Sequence, residues 1–499
     1  MPAVQSPHSP RSLRGSRVAL AGLAAVFLFE MLDNSILNVA LPTIGRDLDV
    51  GATGLQWVTG AYSVVFGGLM LASGAVSDRY GRRRVMLVGL VLLGLASLAT
   101  AFVTTAGELV AVRIVTGIAA AMTTPGSMAL AFRLFDDDER RVRAMTAIST
   151  VGLVGLAVGP TLGGLVLAVA PWQVLLLVNV PIATLAFVGI RRGVVADDPA
   201  GLHRAPVDWA GAVLGTATIV LALVAPTRFA EDGPDAWTGW ATAAAAIAGG
   251  VGFVVRERRA EHPLLDLALL VRPLVSSGLA YKAATGLAVA GLGYLVTLQL
   301  QLAWGWPPAL AAVGMLPQVV VLLAGSAFVG PFVRRVGLER AAWSSAAAVV
   351  VGLAVFALLG PRGYGWIALA LTLVAAGMRV VGVVAGTNVL RGLPEDRTTI
   401  GAALVDTSSE VASAVGIAVA GTVLATVFTG QLAVTPWTSA QGEQFEAAVT
   451  IGGSVLAVVA AALVVWATAR TARAGAGASA GAGAPASASP SASASASAD

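Results

Sequence analysis

The chain contains no cysteine and a single lysine, Lys282, among its 31 basic residues. Disulfides and thiolate metal sites are therefore excluded. Histidine is nearly as scarce. His8, His203 and His262 lie in separate polar segments, so no metal centre is expected. Charge as a whole is thin: 12% of the 499 residues are charged and 57% are hydrophobic, whereas soluble domains carry about 25% charged residues. So apolar a chain belongs in lipid. A soluble α/β protein with buried strands does not fit, because the apolar runs are too long for strands and recur from end to end. The net charge is +4, and the arginines sit between apolar runs without forming a patch, which argues against nucleic acid as a partner.

The runs have the length of spanning helices, about 20 residues each. They fall at about 18–42, 55–76, 84–104, 107–131, 144–169, 171–190, 208–226, 237–255, 274–302, 307–333, 341–360, 365–390, 401–429 and 446–469. Arg11, Arg14 and Arg17 ahead of the first run resemble the start of a signal peptide. That run, however, exceeds a typical signal core, carries Glu30 and Asp33, and ends in Leu41-Pro42, so it is expected to be retained as a span. Basic residues test the count. With the N-terminus inside, 25 of them fall in inside segments and three, Arg46, Arg228 and Arg362, fall outside. This alternation predicts fourteen spans with both termini cytoplasmic.

Away from the span ends, seven ionisable residues are candidates for positions inside the membrane: Glu30, Asp33, Arg113, Lys282, Arg379, Asp406 and Glu410. Each is costly in lipid unless it faces a cavity or a partner. Glu30, Asp33, Asn34 and Asn38 recur at helical spacing and are expected to share a face lining a watery path, with interhelical hydrogen bonding as the plainer alternative. Arg113 lies about 9 Å inside the outer end of the fourth span, and Asp33 is also in the outer half, so the two can meet. Such a pair is either a proton switch or a static salt bridge. Asp406 and Glu410 are one turn apart and reach a depth similar to Lys282 and Arg379, which predicts a cluster of two acids and two bases. Asp406 alternatively lies near the surface and is merely solvated.

Four motifs occur in order. Leu32-Asp33-Asn34-Ser35-Ile36-Leu37-Asn38-Val39-Ala40-Leu41-Pro42 is in the first span. Gly74-Ala75-Val76-Ser77-Asp78-Arg79-Tyr80-Gly81-Arg82-Arg83-Arg84 follows the second. Arg113 precedes Thr116-Gly117 in the fourth. The fifth holds Gly155, Gly159-Pro160 and Gly163-Gly164. Together they resemble the major facilitator superfamily, and within it the fourteen-spanner drug:proton antiporters. The resemblance covers every span. It departs at Thr116, where glutamine is usual, and at Trp172-Gln173-Val174, which lacks a second aromatic although Asn179-Val180-Pro181 remains. Gly330-Pro331-Phe332-Val333-Arg334-Arg335-Val336-Gly337 is a weak echo of the second motif without its acid.

The resemblance implies an all-α membrane fold of two six-helix bundles with an inserted two-helix hairpin that begins at Asp208-Trp209-Ala210-Gly211. The expected divisions are a tail at 1–17, a bundle at 18–192, the hairpin and its loops at 193–272, a second bundle at 273–470 and a disordered Ala/Ser/Gly/Pro tail at 471–499. It further implies proton coupling through Asp33, Arg113 and Glu30, and a conformational latch at Gly74, Asp78, Arg79, Gly81 and Arg82. Gly74 is expected to permit close helix approach, and Asp78 to accept from a helix N-terminus across the halves. Gly155, Gly159, Pro160, Gly163 and Gly164 carry the antiporter signature. Spans one, four, nine and twelve would line a cavity, with Asn34, Asn38, Lys282, Arg379, Asp406 and Glu410 as substrate-facing candidates. The stretch from Ala119 to Met128 would give either an adaptable apolar wall or ordinary packing.

The implied activity is export of an amphipathic drug or antibiotic across the bacterial cytoplasmic membrane by a monomer. It would be driven by the proton gradient and need no other cofactor. A proton-coupled importer of a small metabolite is the alternative. A membrane enzyme or scaffold is a third class, for which no catalytic pair, phosphate loop or metal spacing is seen.

Overall fold

The computed structural model describes residues 13–134, 138–197, 208–233, 235–261, 263–393, 398–429, 432 and 437–482. The three histidines, Arg11, Arg204, Arg397 and the tail beyond residue 482 lie outside them.

Every regular element among the described residues is helical. The first group comprises α1 (Leu13–Asp47), α2 (Ala52–Tyr80), α3 (Arg82–Ala99), α4 (Ala106–Arg133), α5 (Asp138–Leu167), α6 (Gln173–Leu177) and α7 (Asn179–Gly193). Next come the hairpin helices α8 (Trp209–Asp232) and α9 (Trp237–Arg259), then the short α10 (Leu267–Leu270). The second group comprises α11 (Pro273–Leu298), α12 (Pro308–Gly314), α13 (Leu316–Ala324), α14 (Ser326–Val336), α15 (Leu338–Leu359), α16 (Tyr364–Gly392), α17 (Thr398–Val427) and α18 (Ser439–Ala482). Among the described residues twelve stretches are long and apolar enough to span a membrane, or fourteen if two bent pairs are each one span. The bends are 52° between Ala52–Met70 and Ala72–Tyr80, and 68° between Leu316–Ala324 and Ala327–Val336. The last helix continues to Ala482, past the expected start of the tail at 471. Half of the residues from 471 to 482 are alanine, the strongest helix former, and they extend a helix already begun despite three glycines.

Local chemistry sets several helix ends. The Thr105 hydroxyl accepts from the Glu108 amide at 3.3 Å, and the Glu108 carboxylate accepts from the Thr105 amide at 3.1 Å, a reciprocal cap that starts α4. Asp208 caps α8 by accepting from the Gly211 amide at 3.0 Å. It also pairs with Arg256 of α9 at 3.0 Å, which closes the hairpin.

Lipid tails are as apolar as leucine, so close packing and hydrogen bonds hold helices together here. Gly189 and Gly193 of α7, four residues apart, lie against Gly22 and Ala19 of α1. A Cβ at Gly189 would fall 2.6 Å from the Gly22 Cα. In α5, Gly155 faces Leu28 and Leu32 and Gly159 faces Ser35, so α5 lies directly on α1. Pro160 sits within the continuous helix α5.

The two groups share one core at the end away from the arginine-rich α2–α3 loop. Leu32, Ile36 and Leu41 of α1 pack there with Leu287, Leu292 and Leu295 of α11 and Ile417 and Leu424 of α17. Towards the arginine-rich end the cores are separate. One includes Leu23, Phe29, Met86, Leu90 and Ile190, the other Tyr281, Ala341, Val381 and Ala467. The far end is also tied by polar contacts. Gln301 donates to the Val39 carbonyl at 2.8 Å, and Tyr294 to that of Ala52 at 3.4 Å. A Cβ at Gly164 would lie 2.8 Å from Ala309 Cα. Helix α8 covers the seam, packing Leu223 against Val64 of α2 and Ala414 and Ala418 of α17. It donates from Thr216 to the Gly68 carbonyl at 3.0 Å and accepts at Thr227 from Gln56 at 3.1 Å.

Gly189→Ala should destabilise by about 1–3 kcal/mol, because the added methyl meets backbone that cannot yield. Gly382→Ala in α16, where nothing lies within 4 Å of the added carbon, should leave the thermal midpoint in detergent unchanged. For the hairpin, Arg256 holds the Asp208 carboxyl below the ordinary aspartate range. The stabilisation from this pair is therefore present above about pH 4 and is lost as the pH falls through the depressed value. Asp208→Asn, which still caps, should cost less than Asp208→Ala by about 1 kcal/mol, and that difference should persist in acid while the pair's own contribution disappears.

Candidate functional site

Glu30, Asp33, Asn34 and Asn38 do not share a single face in use. At 100° per residue Asp33 lies 140° round the helix from Asn38, and the two side chains serve different neighbours. Asp33 turns into the first group and is buried, as is Arg113 of α4, each with a side chain 1% exposed. Arg113 Nη1 donates to Asp33 Oδ2 at 2.5 Å, and Asn179 Nδ2 of α7 donates to Oδ1 at 2.7 Å. Both carboxylate oxygens are thus occupied. The Arg113 guanidinium also lies over the Tyr62 ring of α2, 4.7 Å from its centroid, which adds cation–π attraction in a desolvated setting. The depth argument from sequence correctly let Asp33 and Arg113 meet.

The satisfaction is incomplete. Arg113 Nε and Nη2, Asn179 Oδ1 and the Tyr62 hydroxyl are buried without a hydrogen-bond partner among the described residues. Buried polar groups left in this way are costly. Clustered here, they make room in energy, if not in packing, for an exchange of partners.

A second constellation lies at the seam. Glu30 of α1 accepts from the Thr124 hydroxyl of α4 at 3.0 Å. It lies within electrostatic range of Glu410 and Asp406 of α17 and of Lys282 of α11. Lys282 is likewise in range of both α17 acids, and Glu410 lies beside Ser63 of α2. Three acids and one lysine therefore lie within electrostatic range of one another where α1, α11 and α17 adjoin. Asp406 is part of this group and is half-buried. Asn34 is half-buried and its amide donates to the Glu30 carbonyl at 3.4 Å. Asn38 approaches Gly293 of α11.

Arg379 does not join the cluster, correcting the expectation of two acids and two bases. Its side chain lies towards Gly325, where α13 breaks into α14, and its buried Nε has no partner. Similar depth on α16 did not mean a similar facing direction.

The latch departs from expectation at two positions. Gly74 faces open space, with no atom within 4 Å of an added Cβ, so it permits no close approach here. Asp78 does not accept from a helix terminus across the halves. It pairs with Arg82 one turn on, at 2.9 Å, and its side chain is 47% exposed. Both lie beyond the 52° bend of α2, at the end where the two cores are separate. Higher up, α2 does meet α17: a Cβ at Gly67 would be 3.2 Å from Glu410 Cβ. Arg79 lies over the Tyr80 ring. Gly81 has φ +98° and a Cβ there would meet Asp197 at 2.6 Å, so glycine is required on both counts.

Several participants escaped sequence reasoning. Tyr62 is one of five tyrosines in the chain, yet an aromatic within an apolar span carries no signal of its own. Thr124 and Ser63 are polar residues that helices tolerate silently. Asp197, which accepts from the Arg83 amide at 3.0 Å, follows α7 in a loop. Asn179 stood in a recognised motif, but its partner is 146 residues away. Trp172 of the same motif is buried and donates to Asp47 at the end of α1, at 2.7 Å.

Residues 23–417 match the family described as Major Facilitator Superfamily. The chain belongs to this superfamily. Among relatives, the cephamycin export protein CmcT of Amycolatopsis lactamdurans is 32% identical, covering 81% of this chain and 84% of its own. The multidrug efflux pump LfrA of Mycolicibacterium smegmatis is 30% identical, covering 90% and 88%. The methyl viologen resistance protein SmvA of Salmonella typhimurium is 28% identical, covering 83% and 84%. In structure, a POT family transporter in complex with a thioalcohol-conjugated peptide aligns with a TM-score of 0.66 at 14% identity, covering 92% of this chain and 97% of its own. The human organic anion transporter MFSD10 aligns at 0.57 and 18% identity, covering 91% and 100%. The likeness to these solved structures shows the fold; the family match and the efflux relatives make the protein a multi-pass membrane transporter.

Truncating one partner of the buried pair should cost far more than neutralising both. Arg113→Ala leaves Asp33 ionised and unpaired and should cost about 3–5 kcal/mol. Asp33→Asn combined with Arg113→Gln should recover most of that loss. The check is a double-mutant cycle of detergent thermal midpoints, in which additivity of the single effects would contradict the geometry.

Proposed function

We propose that this transporter exports amphipathic drugs or antibiotics from the cytoplasm in exchange for protons. The arginine-rich end is then cytoplasmic, as the basic-loop alternation requires. The observation that carries the proton half of this reading is the buried Asp33–Arg113 pair with Asn179 on its second oxygen. The drug half is supported by relatives whose names describe cephamycin export, multidrug efflux and methyl viologen resistance.

Asp33 and Glu30 are coupled in this reading through Tyr62. The Tyr62 ring sits under Arg113 and within electrostatic range of Glu30, Glu410 and Asp33. A proton arriving at Asp33 cancels its attraction for Arg113. The freed guanidinium, with two N–H groups already unpartnered, then turns its field towards the seam acids, with Tyr62 keeping it desolvated. Any change of charge at Glu30, Asp406 or Glu410 is felt by helices of both halves, since these acids stand on α1 and α17. A cationic drug bound among them would compete directly with their protons, which is the exchange that antiport requires. Lys282 offsets one of the three negative charges and so limits how tightly such a cation is held.

The geometry fits a state closed at the far end. Rocking the halves about the seam acids, so that this shared core opens, would bring Gly74 and Asp78 towards the opposite half, where the latch implied by the family pattern would engage.

Asp33→Asn in inside-out vesicles tests the assignment. Proton-driven uptake of a substrate drug should fall at least about tenfold, the effect of roughly 1.4 kcal/mol, while binding of the same drug without a gradient is retained. Unchanged gradient-driven uptake would remove Asp33 from coupling. Uptake into right-side-out vesicles, driven inward with protons, would instead favour the importer.

A further inference from the structure

Helices α3 and α7 leave a groove of about 690 Å³ on the outside of the first group, at the arginine-rich end. Its two ends differ in chemistry. Arg83, Arg84 and Arg191 line one end, and Val88, Val91 and Leu95 of α3 with Phe187 of α7 line the rest. From Arg84 to Leu95 the helix rises about 16 Å, so the apolar part runs well into the span. Val88, Val91 and Leu95 are 54%, 49% and 60% exposed, and on a spanning helix such a face meets lipid tails. The groove therefore opens sideways to the bilayer and is apart from the buried acids.

The charge at its polar end is not cancelled within the protein. Asp197 is the one acid in the lining, and it is already engaged by the Arg83 amide at 3.0 Å. Arg83 Nη2 donates to the Arg191 carbonyl at 2.6 Å, which fixes the guanidinium across the gap between α3 and α7. Its Nε is buried and without a partner. Arg84 and Arg191 are exposed. Three guanidinium groups thus converge at headgroup depth over an apolar trough, and one of their donors is buried and unused.

We propose that this groove is a binding site for an anionic phospholipid of the adjoining leaflet. The phosphate is held by Arg84, Arg191 and the Arg83 Nε, and an acyl chain lies along Val88, Val91 and Leu95. Guanidinium groups match a phosphate in both charge and donor geometry. A zwitterionic headgroup would bring an ammonium against the same cations and bind less well. The site has a mechanical consequence. Arg83 belongs to the α2–α3 turn and Arg191 to the end of α7, so a bound lipid clamps the turn bearing Asp78 and Arg82 to the first group.

The test uses the delipidated full-length protein with phosphatidylglycerol or phosphatidylcholine of identical chains, read by native mass spectrometry and thermal midpoint. Phosphatidylglycerol should be retained and should raise the midpoint more than phosphatidylcholine. Arg84→Gln with Arg191→Gln should weaken its binding about tenfold. Val91→Trp keeps every charge but fills the trough, and should lower lipid retention as well. Equal binding of the two lipids would overturn the proposal, as would wild-type retention in both variants. Stabilisation by inorganic phosphate alone, equal to that by phosphatidylglycerol, would also overturn it by reducing the site to a phosphate site.

Discussion

An ionised carboxylate cannot remain alone inside a helical bundle, and the arrangement of this protein follows from how it holds Asp33. A charge buried to 1% exposure is tolerable only with an opposite charge and further donors in contact. Asp33 has Arg113, Asn179 and, through Arg113, the Tyr62 ring. These come from α4, α7 and α2, so the first group of helices converges on one carboxylate of α1. The glycine contacts of α1 with α5 and α7 serve the same end. Gly155 and Gly159 bring α5 close against α1 on either side of Asp33, at Leu28, Leu32 and Ser35, and Gly189 holds α7 to the start of α1 at Gly22. The pair is a structural keystone of the group and, in the function proposed above, the place where the proton binds.

That dual character explains why the site is left under-bonded. A fully satisfied network would rigidify the bundle, whereas Arg113 retains two buried donors and Tyr62 an idle hydroxyl. The cost of those orphans is offset by packing elsewhere, chiefly in the shared core where α1, α11 and α17 meet. The shared core lies at the far end, whereas the unpartnered polar groups lie around Arg113 within the first group.

Much of this was legible in the chain. Hydropathy and arginine placement marked the spans, and the depth of Asp33 and Arg113 on adjacent helical rises was enough to bring them together. What depth cannot supply is azimuth. Arg379 turns towards Gly325, although similar depth had placed it with Glu410, whereas the departure of Asp33 from the face of Asn38 follows from their five-residue spacing. Asn179 and Tyr62 were invisible as partners because their contacts cross 146 residues or act through a ring face. The bend near Leu71 was equally hidden, since α2 contains no proline, whereas the one near Gly325 ends at Ala327, four residues before Pro331, whose ring opposes the Ala327 carbonyl. Gly74 was misread for a different reason: a glycine can serve an approach made only in another conformation, and the sequence does not say which conformation is at hand.

The glycines at the seam divide by height, and that division bears on the proposed cycle. Gly164 against Ala309, Gly421 against Gln56 and Gly67 against Glu410 are all in use where the cores fuse. Gly74, lower on the same α2, is unused, and Asp78 beyond it spends its charge on Arg82. In the proposed rocking motion the upper contacts loosen as the lower ones form, so the same helix supplies both closures. Because Glu410 sits against Gly67, just above the bend, its environment changes whichever way α2 moves. The seam acids are therefore placed at the pivot, where a single change of charge biases both ends. Asp33 is held back within the first group, and in the proposed cycle it acts on that pivot through Arg113 and Tyr62, whose ring lies under the guanidinium.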